Sequence, residues 1–423
     1  MLGAATYAPG PLRGDVLVPG DKSISHRALI AAANTAAPTR IRNLNPGRDV
    51  RATSEALAAL GVAVGRDGDD VVVTGEGLRK PQTSLDCMNS GSTARMLLGV
   101  CSGANVPARF DGDASLRRRP MEPVAAQLRA LGARIETTDG HLPLELRGTP
   151  EIETRDFILL SPSAQVKSAL LFAALFARVA ITISGDRGSR DHTERLLQYL
   201  GAEIRWDGRT IALANGLRHS KPLDVPGDFS SGAFFITAAA VTPGSRLLIR
   251  DLGINPTRTG LLDALRAMGA QIATNNERLR CGEPIADVAV SYAPLTAISV
   301  GPDVALRAID EIPLLAVAGA CAAGETTIRG VADLRTKESD RLASIEQMLA
   351  LAGIAVSTTR DGLIVCGGRP TPPARAVKTQ SDHRIAMAAA VLACVAGPVT
   401  IDDGLCVDVS FPGFTDSLTR LRA

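Results

Sequence analysis

The chain is poor in aromatic residues, 3% in all with a single Trp, which leaves little with which to stack nucleic-acid bases. Neither sign of charge is in excess: 46 basic and 44 acidic residues leave a net +2. No global field would therefore draw the chain to DNA, RNA or an anionic membrane. The longest uncharged apolar run, Ile385 to Val399, is shorter than the roughly 18 residues a membrane span requires. Met1 to Pro11 has neither the apolar core of a signal peptide nor the Arg- and Ser-rich amphipathicity of a transit peptide, so a cytoplasmic location is expected. Seven cysteines (Cys87, Cys101, Cys281, Cys321, Cys366, Cys394 and Cys406), odd in number and without a Cys-x-x-Cys pair, argue against a disulfide framework and a structural zinc site. Most read as small core residues. His26, His192 and His383 stand beside basic residues without metal-ligand spacing and read as packing groups. No metal is expected.

What the chain does have is repetition. One pattern of about 70 residues recurs six times, and a fixed period sets the architecture before any motif is read. Each copy opens with a helix of small apolar residues: Ser23 to Ala36, Ser90 to Ser102, Ser163 to Ala177, Ser230 to Val241, Asp310 to Ala323 and Ser381 to Gly397. Five of the six begin with Ser. A second, amphipathic helix follows and closes on a glycine signature: Ala59-Leu60-Gly61, Ala130-Leu131-Gly132, Tyr199-Leu200-Gly201, Ala267-Met268-Gly269 and Leu351-Ala352-Gly353. Glycine there reads as the left-handed residue that ends a helix. Strand hairpins come next, such as Val71-Val72-Val73, Leu142 to Leu146 and Leu363-Ile364-Val365. The sixth amphipathic helix, Phe414 to Arg422, has no strands after it, and Ala4 to Val18 are expected to supply them. An α/β protein of two domains follows: residues 20–226 with three copies, and residues 1–19 with 227–423 holding the other three.

The polar residues cluster where the helices begin. Gly20-Asp21-Lys22-Ser23 with Arg27 places an ammonium, a hydroxyl and a guanidinium around the first turn of a helix, whose free N–H groups already favour anions. The spacing is not that of a P-loop, which disfavours ATP hydrolysis. Asn89-Ser90-Gly91-Ser92-Thr93-Ala94-Arg95, Ser163-Ala164-Gln165-Val166-Lys167 and Ser381-Asp382-His383-Arg384 repeat the arrangement. Loops add Arg117-Arg118-Arg119-Pro120, Arg190-Asp191-His192-Thr193-Glu194 and Arg335-Thr336-Lys337-Glu338-Ser339-Asp340-Arg341. If the two domains face each other with these ends inward, the cleft is strongly cationic in a nearly neutral protein. It then suits small, multiply anionic substrates. Asp310 and Glu338 are the acids within this basic set. Taken alone, each reads equally as a general base or as a helix cap and an ion pair.

The segments Gly20-Asp21-Lys22-Ser23 with Arg27, Asn89-Ser90-Gly91, Arg119-Pro120, Ser163-Ala164-Gln165, Lys337-Glu338-Ser339-Asp340-Arg341 and Asp382-His383-Arg384 together resemble the 5-enolpyruvylshikimate-3-phosphate synthase family, in order and along almost the whole chain. The resemblance implies the two-domain enolpyruvyl transferase fold, an inside-out α/β barrel of six βα repeat units, three per domain, with the active site in the interdomain cleft. It implies transfer of the enolpyruvyl group of phosphoenolpyruvate to the 5-hydroxyl of shikimate 3-phosphate, with release of phosphate, in the route to chorismate and aromatic amino acids. Carried over residue by residue, it gives Lys22, Ser23, Arg27, Ser163, Ala164, Gln165, Asp310 and Lys337, with Arg190 added, to shikimate 3-phosphate. Phosphoenolpyruvate falls to Lys22, Gly91, Arg119, Gln165, Arg341 and Arg384. Asp310 becomes the principal base, with Glu338 and Lys22 for the other proton transfers. No cofactor is implied, nor any nucleic-acid or membrane partner; a monomer whose domains close on substrate is expected.

Two features depart from the family pattern. Val409 precedes Ser410-Phe411-Pro412 where many members have lysine, so one phosphoenolpyruvate contact is missing or supplied elsewhere. The motifs around Lys22, Gln165, Arg190 and Asn255-Pro256-Thr257-Arg258 resemble the class that includes glyphosate-tolerant members, yet Gly91 lacks the methyl group that would crowd that inhibitor. The nearest rival is the enolpyruvyl transferase acting on UDP-N-acetylglucosamine, whose mobile loop carries a cysteine; the loop Gly112 to Pro120 here has none. A non-catalytic anion- or nucleic-acid-binding protein is the rival from another class, and Asp310 and Glu338 amid the basic groups weigh against it.

Overall fold

Small apolar side chains on every face suit a helix to a core rather than to a surface. Six such helices form where the sequence repeats: α1 (Lys22–Ala32), α2 (Gly91–Gly103), α3 (Ala164–Ala177), α4 (Phe229–Val241), α5 (Ile312–Ala320) and α6 (His383–Ala396). They belong to a computed structural model that describes residues 3–149, 152, 155–159, 163–217 and 220–422.

The helix starts differ from the sequence expectation by one or two residues, and aspartate caps three of the six. Asp21 accepts from the Ile24 N–H at 2.9 Å, Asp228 from Ser231 at 3.2 Å and Asp382 from Arg384 at 2.9 Å. Ser90 and Ser163, expected as first helical residues, cap α2 and α3. A carboxylate satisfies the orphan N–H and complements the helix dipole, so it takes the cap where both residue types are at hand. Ser23 and Ser230 are thereby carried inside the first turn. α5 has no side-chain cap; Pro313 in its first turn needs none. The five closing glycines, Gly61, Gly132, Gly201, Gly269 and Gly353, all have φ between +77° and +105°.

The chain forms two compact units. One comprises Gly20–Pro226 with the short segment Leu279–Glu283; the other comprises Met1–Pro19, Gly227–Arg278 and Pro284–Ala423. The first contains three sheets of four strands. In two of them a strand before the core helix lies parallel to the strand after it, and in all three an antiparallel hairpin completes the sheet. Leu85–Asp86 thus pairs with Ala108–Asp111 across α2, with Leu85 opposite Phe110, and Arg155–Ile158 pairs with Ile181–Ser184 across α3. The third parallel edge comes from the far end of the unit: Leu223–Asp224 pairs with Thr39–Arg42, Leu223 opposite Ile41.

The second unit follows the same rule with one exchange. The segment before α4 is Leu223–Asp224, already committed to Thr39–Arg42, so Arg13–Leu17 takes the parallel edge beside Arg246–Gly253, Asp15 opposite Leu248. Only the first part of Ala4 to Val18 therefore serves the sixth copy: Ala5–Tyr7 pairs antiparallel with Val399–Ile401. Phe411 and Phe414, 5.6 Å apart, pack on Phe235 of α4 and close that copy.

Backbones pack closely between α2 and α3. A Cβ on Gly99 would lie 2.2 Å from the Ala169 carbonyl oxygen, and one on Gly103 would lie 2.1 Å from that of Ala173. The starts of the two helices are therefore held at a fixed separation, which matters for the side chains they carry.

Candidate active site

Hydrogen bonds gather the starts of α1, α2 and α3 at one end of the first unit. Arg27, on α1, donates through Nε to Thr193 Oγ1 at 2.7 Å, through Nη2 to Ser168 Oγ on α3 at 2.9 Å and through Nη1 to the Ser23 carbonyl at 2.8 Å. Burial pulls its pKa down to about 10, opposed by the fields of Glu194 and Asp21 and assisted by the like charge of Arg190. It stays a cation near neutrality. His26 joins Thr53, which joins Thr93 on α2, each at 2.7 Å. Burial, with Lys22 and Arg27 nearby, drives the His26 imidazole well below its usual pKa, so it is a neutral packing group.

The other predicted residues of this unit stand around that frame. Lys22 Nζ lies 2.7 Å from Asp49 Oδ2. Gly91 is the first residue of α2; Ser163 is the cap of α3, and Ala164 and Gln165 form its first turn. Gln165 Nε2 donates to Ser92 Oγ at 3.0 Å, and Gln165 Oε1 accepts from Arg95 Nη1 at 2.6 Å. Arg119 is 8% exposed and donates to Asn89 Oδ1. Arg190 is half-buried, two residues before the helix His192–Tyr199.

In the second unit the starts of α4, α5 and α6 are likewise gathered, here by ion pairs. Arg341 is enclosed by three carboxylates: Nε lies 2.8 Å from Asp382 Oδ2, Nη1 lies 3.4 Å from Asp310 Oδ1, and Nη2 bonds Glu338. Burial alone would lower the Arg341 pKa, but Asp382, Glu338 and Asp310 outweigh it and raise the value above that of a free guanidinium. Arg384 Nη2 lies 3.5 Å from the other Asp310 oxygen, and Nη1 donates to the Asp310 carbonyl at 3.2 Å. Ser230 donates to the buried Glu311, and Arg258 Nη2 donates to Ser230 at 2.6 Å. Lys337 is half-buried and directly precedes Glu338.

Lys22, Ser23, Arg27, Gly91, Arg119, Ser163, Ala164, Gln165 and Arg190 thus lie in the first unit, and Asp310, Lys337, Glu338, Arg341 and Arg384 in the second. Sequence reasoning gave no role to Arg95, Asp49, Asn89 or Glu311, which contact Gln165, Lys22, Arg119 and Arg384 respectively. For Asn89, Arg95 and Glu311 the signal was an ionisable or amide side chain at the start of an otherwise apolar helix; Asp49 lies on the amphipathic helix Arg48–Ala59, where such a residue is ordinary. Chemically, the first unit offers cations and helix N-termini suited to oxyanions. The second offers two carboxylates, each oriented by a guanidinium.

A family profile described as EPSP synthase (3-phosphoshikimate 1-carboxyvinyltransferase) matches residues 6–418. Among curated relatives, a 3-phosphoshikimate 1-carboxyvinyltransferase of Anaeromyxobacter sp. (strain Fw109-5) is 48% identical, covering 96% of this chain and 95% of its own. One from Gloeobacter violaceus is 46% identical, covering 97% of each. Among solved structures, an EPSP synthase from Acinetobacter baumannii superposes with a TM-score of 0.86 at 37% identity, covering 99% of this chain and 98% of that one. The enolpyruvyl transferase NikO from Streptomyces tendae shares the fold, with a TM-score of 0.77 at 20% identity over 99% of this chain and 97% of its own.

Proposed function

The chain belongs to the EPSP synthase family, the 3-phosphoshikimate 1-carboxyvinyltransferases, and we propose that it performs the transfer with the two residue sets described above. The match with named relatives along nearly the whole chain carries this reading. Shikimate 3-phosphate is held by Lys22, Ser23, Arg27, Ser163, Ala164, Gln165, Arg190, Asp310 and Lys337. Phosphoenolpyruvate is held by Lys22, Gly91, Arg119, Gln165, Arg341 and Arg384. The protein acts as a monomer in the cytoplasm; no helix among the described residues is long and apolar enough to cross a membrane.

The chemistry explains the residue types. The 5-hydroxyl is a weak nucleophile and needs a base, while C3 of phosphoenolpyruvate must gain a proton before C2 becomes electrophilic. The tetrahedral ketal so formed then loses a proton from that same methyl group as phosphate departs. One acid and one base, each used twice, are sufficient. Asp310 takes the hydroxyl proton; Glu338 and Lys22 serve the transfers at C3 and the leaving phosphate. The guanidinium groups fix both anions and balance charge as the phosphate leaves. Phosphate release measured with phosphoenolpyruvate and either shikimate 3-phosphate or UDP-N-acetylglucosamine tests the proposal. Turnover with the first acceptor alone is expected; turnover only with the second, or with neither, would overturn it.

Two expectations separate binding from chemistry. Arg27→Ala removes a cation from a group that does not react, so initial rates should show KM for shikimate 3-phosphate raised at least about tenfold with kcat within about threefold. A fall in kcat at unchanged KM would contradict that role. Glu338 bonds Arg341, which is assigned to phosphoenolpyruvate, so the carboxylate competes with the substrate for that guanidinium. Glu338→Gln should therefore lower kcat by roughly 10²-fold while KM for phosphoenolpyruvate falls rather than rises.

A further inference from the structure

Position 95 lies one turn beyond position 91 on the same face of α2, and helical side chains lean back toward the N-terminus. The Arg95 guanidinium accordingly reaches over the first turn. A Cβ built on Gly91 would stand 2.7 Å from Arg95 Nη1 and 3.6 Å from Arg119 Nη1. The same Arg95 Nη1 donates to Gln165 Oε1 at 2.6 Å, while Nη2 donates to the carbonyl of Pro120, the residue after Arg119, at 2.9 Å. One guanidinium thus touches three elements of the assigned substrate site: the first turn of α2, the first turn of α3 and the loop that carries Arg119.

We infer that Arg95 is the positioning residue that fixes which end of the Gln165 amide faces the substrates, and that a side chain at position 91 must displace its guanidinium. The inference rests on the assignment of Gln165 to both substrates under the proposed function. A guanidinium only donates, so the amide atom turned toward it must be the carbonyl oxygen. The amide nitrogen is then placed with one hydrogen on Ser92 Oγ, leaving its second hydrogen for a ligand oxygen. Both substrates are anions, which accept hydrogen bonds and are repelled by a carbonyl oxygen. Without a donor at position 95 the amide loses the contact that distinguishes its two ends, and the flipped form presents an acceptor to an anion. A methyl group at position 91 acts through the same contact. It occupies the space of Nη1 and pushes the guanidinium away from Gln165.

The test compares KM for both substrates, kcat and thermal midpoint across wild type, Arg95→Met, Arg95→Lys, Gln165→Met, Gly91→Ala and the double variants of Arg95→Met with each of the last two. Arg95→Met is expected to raise both KM values roughly tenfold, the loss of one charge-assisted hydrogen bond, with kcat within about threefold. Arg95→Lys, also a donor only, should recover most of the loss, which a merely structural defect would not show. Because Arg95 acts through Gln165, Arg95→Met/Gln165→Met should be no worse than Gln165→Met alone. Gly91→Ala should likewise add little to Arg95→Met. If the penalties multiply in either pair, or if lysine fails to rescue a variant that folds normally, the inference is wrong. If Gln165→Met raises both KM values and Arg95→Met raises neither, the positioning role fails while the substrate assignment stands. If Gln165→Met itself changes neither KM, the assignment of Gln165 falls and this inference with it.

Discussion

Asp310→Ala should lower kcat by roughly 10²–10⁴-fold, the usual scale for removing a general base. The residue stands just before α5, two positions ahead of its first residue, Ile312. Arg341 and Arg384 hold its two oxygens from different elements, at 3.4 and 3.5 Å. A base fixed at both oxygens needs little reorganisation to meet a hydroxyl. The same geometry predicts the sign of the binding effect. Removing one carboxylate from a pair of guanidinium groups makes the surroundings more cationic, so KM for phosphoenolpyruvate should stay level or fall as kcat collapses. Arg341 keeps Asp382 and Glu338, so the fold should survive. Asp310→Asn, nearly equal in shape, should be as inactive as the alanine variant. Turnover within tenfold of wild type in Asp310→Asn would remove Asp310 from the catalytic role.

How far the sequence could be read depended on whether a feature is local. Helix starts, the glycine that ends each amphipathic helix and the basic groups in the first turns follow from neighbours within four or five residues. They were legible to within two residues. Partnerships between distant segments were not. Nothing near Asp382 indicates that it both caps α6 and clamps Arg341, 41 residues away in sequence. The placement of Arg13–Leu17 beside Arg246–Gly253 depends on Leu223–Asp224 being paired elsewhere, a condition no local pattern carries. Gly91 had an assigned role on sequence grounds and Arg95 had none. They are coupled because a guanidinium fills the space a Cβ would take.

The strongest case of such hidden pairing joins two motifs. The lysine that closes Ser163-Ala164-Gln165-Val166-Lys167 and the glutamate that closes Arg190-Asp191-His192-Thr193-Glu194 are partners. Lys167 Nζ lies 2.7 Å from Glu194 Oε1, 2.8 Å from Asp186 Oδ2 and 3.4 Å from the Ser189 carbonyl. All three side chains are at most 2% exposed. Thr193, next to Glu194, accepts the bond from Arg27, so the buried triad also supports the guanidinium proposed to hold shikimate 3-phosphate. Removing the ammonium strands two carboxylates in the core, and Lys167→Met should cost about 3–5 kcal/mol of stability, the usual penalty for breaking a buried pair from one side.

The loss should depend on pH in a definite direction. Burial pushes the Glu194 carboxyl above its ordinary pKa even though Lys167 opposes the shift. The folded state therefore holds that proton more tightly than the unfolded chain. Its contribution to stability is complete below the ordinary carboxylate range and is lost as pH rises through the raised, folded value. Without Lys167 the opposing field disappears and the folded value rises further, so the decline begins in the same range but continues to higher pH. Urea unfolding of wild type and Lys167→Met between about pH 5 and about pH 8 should show the deficit smallest at the acidic end and growing steadily upward. Lys167→Met/Glu194→Gln, which removes one of the two stranded carboxylates, should regain part of the stability near neutrality and little at acidic pH. A deficit that is flat across the series, or no recovery at neutral pH, would show that the variant fails through packing and that the buried charge balance is not what holds these two motifs together.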